Sequence, residues 1–164
     1  TLPVPVPVRS TQYSPCRRYE MPHLIVEYTD NLAAEGAIPA LLRKANALLI
    51  AQGGVFKPGA VRSRATALQE YCIADGAAEY AFVHCTLKIG AGRTPEEKQR
   101  ACTALFDMVK GHFADLYARR YLALSLELYE FDEGGTYKHN NLHGRFATPP
   151  LPAPGSPTEA RKSW

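Results

Sequence analysis

The sequence lacks the features of several large classes of protein. No apolar run approaches the ~20 residues that a membrane-spanning helix requires, and no lysine and arginine cluster is interleaved with aromatic residues as in single-strand nucleic-acid binders. The net charge is only +3. Prolines interrupt the apolar residues of the N-terminal stretch, so it does not resemble a secretory signal. We therefore expect a cytoplasmic protein with neither a membrane nor a nucleic acid as its partner.

Cysteines are few, and they lack the spacing of a redox or zinc motif. None of the four, Cys16, Cys72, Cys85 and Cys102, belongs to a C-x-x-C pair. Three of them lie inside apolar patterns, which is typical of buried side chains. We interpret them as buried free thiols in a reducing compartment.

Proline is unevenly distributed and divides the chain into three parts. Nine of the 13 prolines lie in residues 1–20 and 148–164, and neither stretch has enough apolar area to offset the entropy of ordering it. We expect residues 1–21 to be an extension that the mature protein lacks, residues 22–147 to form one domain, and residues 148–164 to be a disordered tail.

The first half of the predicted domain has a strand, a helix and a second strand. Residues 23–28 form a short apolar run bounded by a proline, which favours a buried strand. A helical pattern begins near Pro39 and ends at Gly53-Gly54. A second strand region covers about residues 60–73.

The second half repeats this order. A long strand covers residues 80–89, and a helix follows it, with a capping box formed by Thr94 and Glu97. A last strand covers residues 122–129. The apolar face predicted for this helix comprises Cys102, Leu105, Phe106, Val109, Phe113 and Leu116.

Two consecutive β-α-β units predict an α+β fold. Strands that alternate with helices pair in parallel through right-handed crossovers, and two such units can share one four-stranded sheet with both helices on one face. The strands are apolar enough that we expect other subunits to cover the second face, which implies an oligomer.

Three arginines have positions at which anions bind. Arg62 and Arg64 are two residues apart on a strand and face the same side, and a guanidinium fork suits a carboxylate. Arg93 lies in a glycine-rich turn before a helix N-terminus, which attracts anions. From spacing alone, the pair fits a solvated strand edge at least as well, and Arg93 fits a turn arginine without a ligand.

The dipeptide Met21-Pro22 is the feature with the largest chemical consequence. A proline nitrogen is a basic secondary amine only when proline is the first residue, and elsewhere it is an amide. Met21 is the first methionine in the sequence, and a proline in second place permits removal of the methionine. We expect a mature chain that begins at Pro22. Its amine would start near the ~8 of an α-amine, and burial and nearby cations would lower that pKa.

Several motifs fall in one order along residues 22–146. The sequence resembles the 5-carboxymethyl-2-hydroxymuconate Δ-isomerase family of the tautomerase superfamily. The motifs that carry the resemblance are Met21-Pro22-His23-Leu24-Ile25-Val26-Glu27-Tyr28, Val61-Arg62-Ser63-Arg64, Ala74-Asp75-Gly76, Tyr80-Ala81-Phe82-Val83-His84, Leu87-Lys88-Ile89-Gly90-Ala91-Gly92-Arg93 and Lys138-His139-Asn140-Asn141-Leu142-His143.

The resemblance implies a homotrimer of β-α-β-β-α-β subunits with an N-terminal proline. It implies a 1,3-proton shift on a small anionic dienol in homoprotocatechuate degradation, with no metal and no cofactor. Pro22, Arg62 and Arg93 are then the catalytic residues. Arg62 and Arg93 also bind substrate, together with Arg64, His23 and Phe56.

Other interpretations stay open at this stage. His23 and Phe56 fit structural positions as well as a pocket. His139 and His143 have a spacing compatible with zinc, but we expect their segment to cap a turn or pack at an interface. If Pro22 is not the first residue, the chain is a non-catalytic oligomeric module. With a free amine it could also be a tautomerase or decarboxylase acting on another unsaturated 2-oxo acid.

Overall fold

The computed structural model describes residues 21–147, so the expectations for residues 1–20 and 148–164 lie outside the described residues. The strands are β1 (His23–Thr29), β2 (Arg62–Leu68), β3 (Tyr80–Gly90) and β4 (Tyr121–Phe131). The helices are α1 (Ile38–Ile50), α2 (Pro95–His112), α3 (Ala114–Arg119) and α4 (His143–Ala147). Short 3₁₀ turns cover Asp30–Leu32, Pro58–Ala60 and Glu133–Gly135.

The four strands form one mixed sheet in the order β2-β1-β3-β4. Strand β1 is parallel to β2, β3 is parallel to β4, and β1 is antiparallel to β3. The two predicted β-α-β units are therefore confirmed. This topology brings the beginnings of β1 and β2 together with the ends of β3 and β4. We call this edge of the sheet the Pro22 end.

Alternate strand residues explain why both long helices lie on one face. Leu24 and Val26 of β1, and Val83, Cys85 and Leu87 of β3, are fully buried, because the side chains of a strand alternate between its two faces. They form one hydrophobic cluster with the apolar stripes of α1 and α2. The opposite face carries His23 and Ile25, and we call it the open face.

The start of α2 is fixed by the capping box that the sequence predicts. The Glu97 backbone N–H donates to Thr94 Oγ1 at 3.2 Å, and the Thr94 backbone N–H donates to Glu97 Oε2 at 3.0 Å. Two of the unpaired N–H groups at the helix start are thus satisfied. The cap ends the turn that contains Arg93, and so it limits where that side chain can reach.

Two sequence expectations are wrong in detail. The second helix does not continue to Leu116, because α2 ends at His112 and a separate helix, α3, begins at Ala114. Strand β2 ends at Leu68 rather than near residue 73, so Cys72 lies in the following loop and is exposed. Cys85 is buried as expected, and Cys72, Cys85 and Cys102 are all free thiols.

Within residues 21–147, none of the helices is both long enough and apolar enough to cross a membrane.

Candidate active site

Pro22 lies at the first rung of the β1–β2 ladder. It is buried, and its carbonyl oxygen accepts a hydrogen bond from the Arg62 backbone N–H at 3.0 Å. This bond fixes the residue at the Pro22 end of the sheet, next to the arginine that begins β2. The nitrogen of Pro22 therefore occupies a defined position one residue before a paired strand.

The Arg62 side chain turns toward the same place. Its Nη1 donates to the Ala60 carbonyl at 3.0 Å and contacts Met21 Sδ at 2.8 Å. A thioether sulfur is a weak acceptor. Met21 is therefore a poor hydrogen-bond partner for the Arg62 guanidinium group, which is a strong donor. The contact places the guanidinium group against the side chain of the residue that precedes Pro22.

Arg93 approaches the Pro22 end from the turn after β3. Its guanidinium carbon lies 4.7 Å from the centroid of the Phe56 ring, within the range of a cation–π contact. Its Nη1 donates to the Gly90 carbonyl at 2.9 Å, and its Nη2 donates to the Val55 carbonyl at 3.4 Å. These contacts hold the cation just before the N-terminus of α2, where a positive helix end adds to its charge.

Phe56 has a supporting position. Its side chain is only 1% exposed and belongs to the hydrophobic cluster under the sheet. Phe56 could be a pocket residue or a core residue, and in the single chain it is a core residue. Its ring still matters to the site, because it is the surface on which the Arg93 guanidinium rests.

Arg64 and His23 meet on the open face. Arg64 Nη1 lies 3.4 Å from His23 Nδ1, as the alternation of β2 predicts. Burial lowers the pKa of His23 from its ordinary value, and the nearby charges of Arg64, Arg62 and Lys88 lower it further. A neutral imidazole at this position can accept a hydrogen bond from the guanidinium group.

A cleft that sequence reasoning missed lies beside this pair. It has a volume of about 450 Å³ and includes Lys88. Its lining residues are His23, Arg64, Lys88, Tyr129, Phe131, Asp132, Gly135 and Thr136. Lys88 could have been predicted to line this cleft, because the alternation of β3 places its side chain on the open face. The register places it directly across from His23.

The segment with His139 and His143 packs against the turn that precedes Arg62. Asn140 Nδ2 donates to the Gly59 carbonyl at 3.1 Å, and a Cβ on Gly59 would lie 2.8 Å from His143 Nδ1. Gly59 therefore permits this close contact. The described residues contain no group of three or more His, Cys, Asp or Glu side chains placed to hold a metal ion.

The architecture and this sheet end place the chain among tautomerase-fold proteins. A solved structure described as a fused 4-OT wild type symmetric trimer shares the fold, with a TM-score of 0.51 and 17% identity. That match covers 67% of this chain and 87% of the other.

Closer relatives define the family. The 5-carboxymethyl-2-hydroxymuconate isomerase family model matches residues 22–146, and the chain belongs to that family. It is 45% identical over 126 residues to 5-carboxymethyl-2-hydroxymuconate Delta-isomerase of Escherichia coli, covering 77% of this chain and 99% of the relative. A crystal structure of a 5-carboxymethyl-2-hydroxymuconate isomerase from Deinococcus radiodurans R1 is 48% identical, with a TM-score of 0.75, and covers 79% and 96% of the two chains.

The environment of His23 makes a prediction about its titration. An NMR pH titration is expected to give His23 a midpoint below 6.5, the ordinary value, and Arg64→Gln should raise that midpoint by removing one of the opposing charges. Because the unfolded chain then binds more protons just below pH 6.5, this residue should reduce stability as the pH falls through that range. A midpoint at or above 6.5 in the unsubstituted protein would contradict the burial and charge that we assign to this site.

Proposed function

We propose that the mature chain begins at Pro22 and isomerises 5-carboxymethyl-2-hydroxymuconate in homoprotocatechuate degradation, with Pro22 as general base and acid. Residues 22–147 form the catalytic domain, without residues 1–21, and the protein works in the cytoplasm. One observation carries the proposal. Pro22 is buried and its carbonyl is hydrogen-bonded to the Arg62 backbone, and the Arg62 guanidinium group contacts the side chain of Met21, the residue whose loss would free the Pro22 nitrogen.

The chemistry needs a single group that takes and returns a proton. The Pro22 amine accepts the proton of the 2-hydroxyl group, and the electron pair of the broken O–H bond becomes the new C=O bond. The conjugated double bonds shift, and the amine returns a proton to a carbon further along the chain. A base with a pKa near the working pH performs both steps efficiently.

The arginines supply positive charge where negative charge develops. Arg93 stabilises the oxygen of the dienolate, since its guanidinium group is held in place by two carbonyls and a ring before substrate arrives. Arg62 binds a carboxylate at the position that Met21 Sδ occupies in the longer chain. Removal of Met21 thus frees the amine and a guanidinium donor together.

A comparison of two chain starts tests the amine. A chain that starts at the Met21 codon and is shown by intact mass to begin at Pro22 should be active. A chain that keeps residues 1–21, in which the Pro22 nitrogen is an amide, should show a kcat lower by about 10²–10⁴, the usual contribution of general acid–base catalysis. Equal turnover by a chain whose 21–22 peptide bond is intact would exclude the mechanism.

A charge deletion tests the carboxylate contact. In the chain that begins at Pro22, Arg62→Gln should lower kcat/KM by about 10- to 100-fold, because a charge-assisted hydrogen bond of ~1.5–3 kcal/mol is lost. Arg43→Gln, which removes an exposed arginine on α1, is the matched control and should stay within twofold of the parent. A loss no larger at Arg62 than at Arg43 would remove Arg62 from the site.

We also propose that the protein is a homotrimer assembled through the open face. On this face of β4, Tyr121 and Tyr129 are 71% and 54% exposed in the single chain, and the large helices of the described region lie on the other face. Exposed aromatic area of this kind favours association.

Sedimentation equilibrium should give three times the mass of one chain. Ala123→Glu places a charge opposite Phe82 on the open face and should lower the mass toward that of a monomer. Ala47→Glu, on the exposed side of α1, should leave the trimer intact. A monomeric parent protein, or equal behaviour of the two variants, would refute assembly through this face.

A further inference from the structure

Three adjacent strands each contribute one nitrogen-bearing side chain to a cleft that includes His23, the residue after Pro22. His23 comes from β1, Arg64 from β2 and Lys88 from β3. The register places Lys88 directly across from His23, and Arg64 Nη1 lies 3.4 Å from His23 Nδ1. We call this space, lined by the eight residues given above, the Lys88 cleft.

The Lys88 cleft keeps a net positive charge among residues 21–147, because Arg64 and Lys88 face only one lining carboxylate, that of Asp132. In that part of the chain neither Arg64 nor Lys88 has a carboxylate oxygen within 4.0 Å, although Asp132 also lines the cleft. Lys88 Nζ instead lies 5.0 Å from the centroid of the Tyr129 ring. Two cations held by an imidazole and an aromatic face keep their N–H donors available for an anion.

The side chains of the two arginines of β2 have different contacts. The Arg62 guanidinium group contacts the Ala60 carbonyl and the side chain of Met21, the residue before Pro22. Arg64 lies with His23 and Lys88, further along the open face. An extended anion that reacts at Pro22 could therefore bind one carboxylate at Arg62 and another in the Lys88 cleft.

We propose that the Lys88 cleft binds the carboxylate of a substrate side arm, so that the enzyme selects dienols with three carboxylates over those with two. This inference rests on the proposed function and adds a specificity site to it. 5-Carboxymethyl-2-hydroxymuconate has three carboxylates, and its carboxymethyl arm is the one that 2-hydroxymuconate lacks. A lysine point charge and an arginine fork together suit such a mobile carboxylate.

The experiment compares two substrates in the chain that begins at Pro22. Lys88→Gln should lower kcat/KM for 5-carboxymethyl-2-hydroxymuconate by about tenfold or more. It should leave kcat/KM for 2-hydroxymuconate within about twofold, since that compound has no arm to lose. Lys88→Arg keeps the charge and should restore most of the discrimination.

The matched control is another lysine over an aromatic ring. Lys110 Nζ lies 5.4 Å from the centroid of the Phe106 ring on α2, away from the open face. Lys110→Gln should leave kcat/KM unchanged for both substrates. Unchanged kinetics for Lys88→Gln, or equal losses on both substrates, would overturn the proposal. Thermal unfolding of each variant identifies a loss that comes only from misfolding.

Failure of the proposed function would give a different result. If the unsubstituted chain isomerises neither compound, the proposed function is wrong, and calorimetric binding of the same two compounds then tests the Lys88 cleft by itself. Weaker binding of the three-carboxylate compound alone in Lys88→Gln would support the cleft. Equal binding to the parent and the variant would reject it.

Discussion

The hydrogen bond between the Pro22 carbonyl and the Arg62 N–H is the contact on which the candidate site depends. It is the first hydrogen bond of the parallel β1–β2 pair. It sets the position of the Pro22 nitrogen, which is a backbone atom. The antiparallel β1–β3 pair then brings the end of β3, and with it the Arg93 turn, to the same edge. The base is a backbone amine, so no side-chain rotamer can position it, and the backbone pairing of β1 with β2 has to do so.

The arginines at the two ends of the sheet have different partners. Away from Pro22, Arg119 is paired with Glu35, and Arg120 Nη2 lies 2.7 Å from Glu79 Oε1. At the Pro22 end, the contacts described for Arg62 and Arg64 are a carbonyl, a thioether and an imidazole. Cations supported by dipoles rather than by carboxylates keep a positive potential, which binds anions and disfavours protonation of a neighbouring amine.

Much of the fold was predictable because its signals are local. Short apolar runs located the strands, and the Thr94 capping box located the start of α2. Where tertiary packing decides, the sequence was less informative. The apolar stripe continues through the fully buried Phe113 although the helix breaks there, so the stripe does not reveal the junction of α2 and α3. Cys72 is exposed because β2 ends early.

The site was predictable only in part. The spacing of Arg62 and Arg64 predicts that both side chains lie on one face of the strand. The direction of each guanidinium group depends on its contacts in the folded chain, which the spacing does not predict. Lys88 was missed because its contribution comes from register across β1 and β3, two strands far apart in sequence. Phe56 could be assigned to pocket or core only once its ring was seen beneath Arg93.

The central claim is that a proline nitrogen in this protein gains and loses a proton during turnover. Its most direct test is a ¹⁵N NMR titration of active enzyme labelled at proline, compared with the pH dependence of kcat/KM. We predict that one proline nitrogen titrates below the ~8 of an ordinary α-amine, with a midpoint that coincides with the rising limb of the kinetic profile. If no proline nitrogen titrates while the enzyme remains active, the account is contradicted.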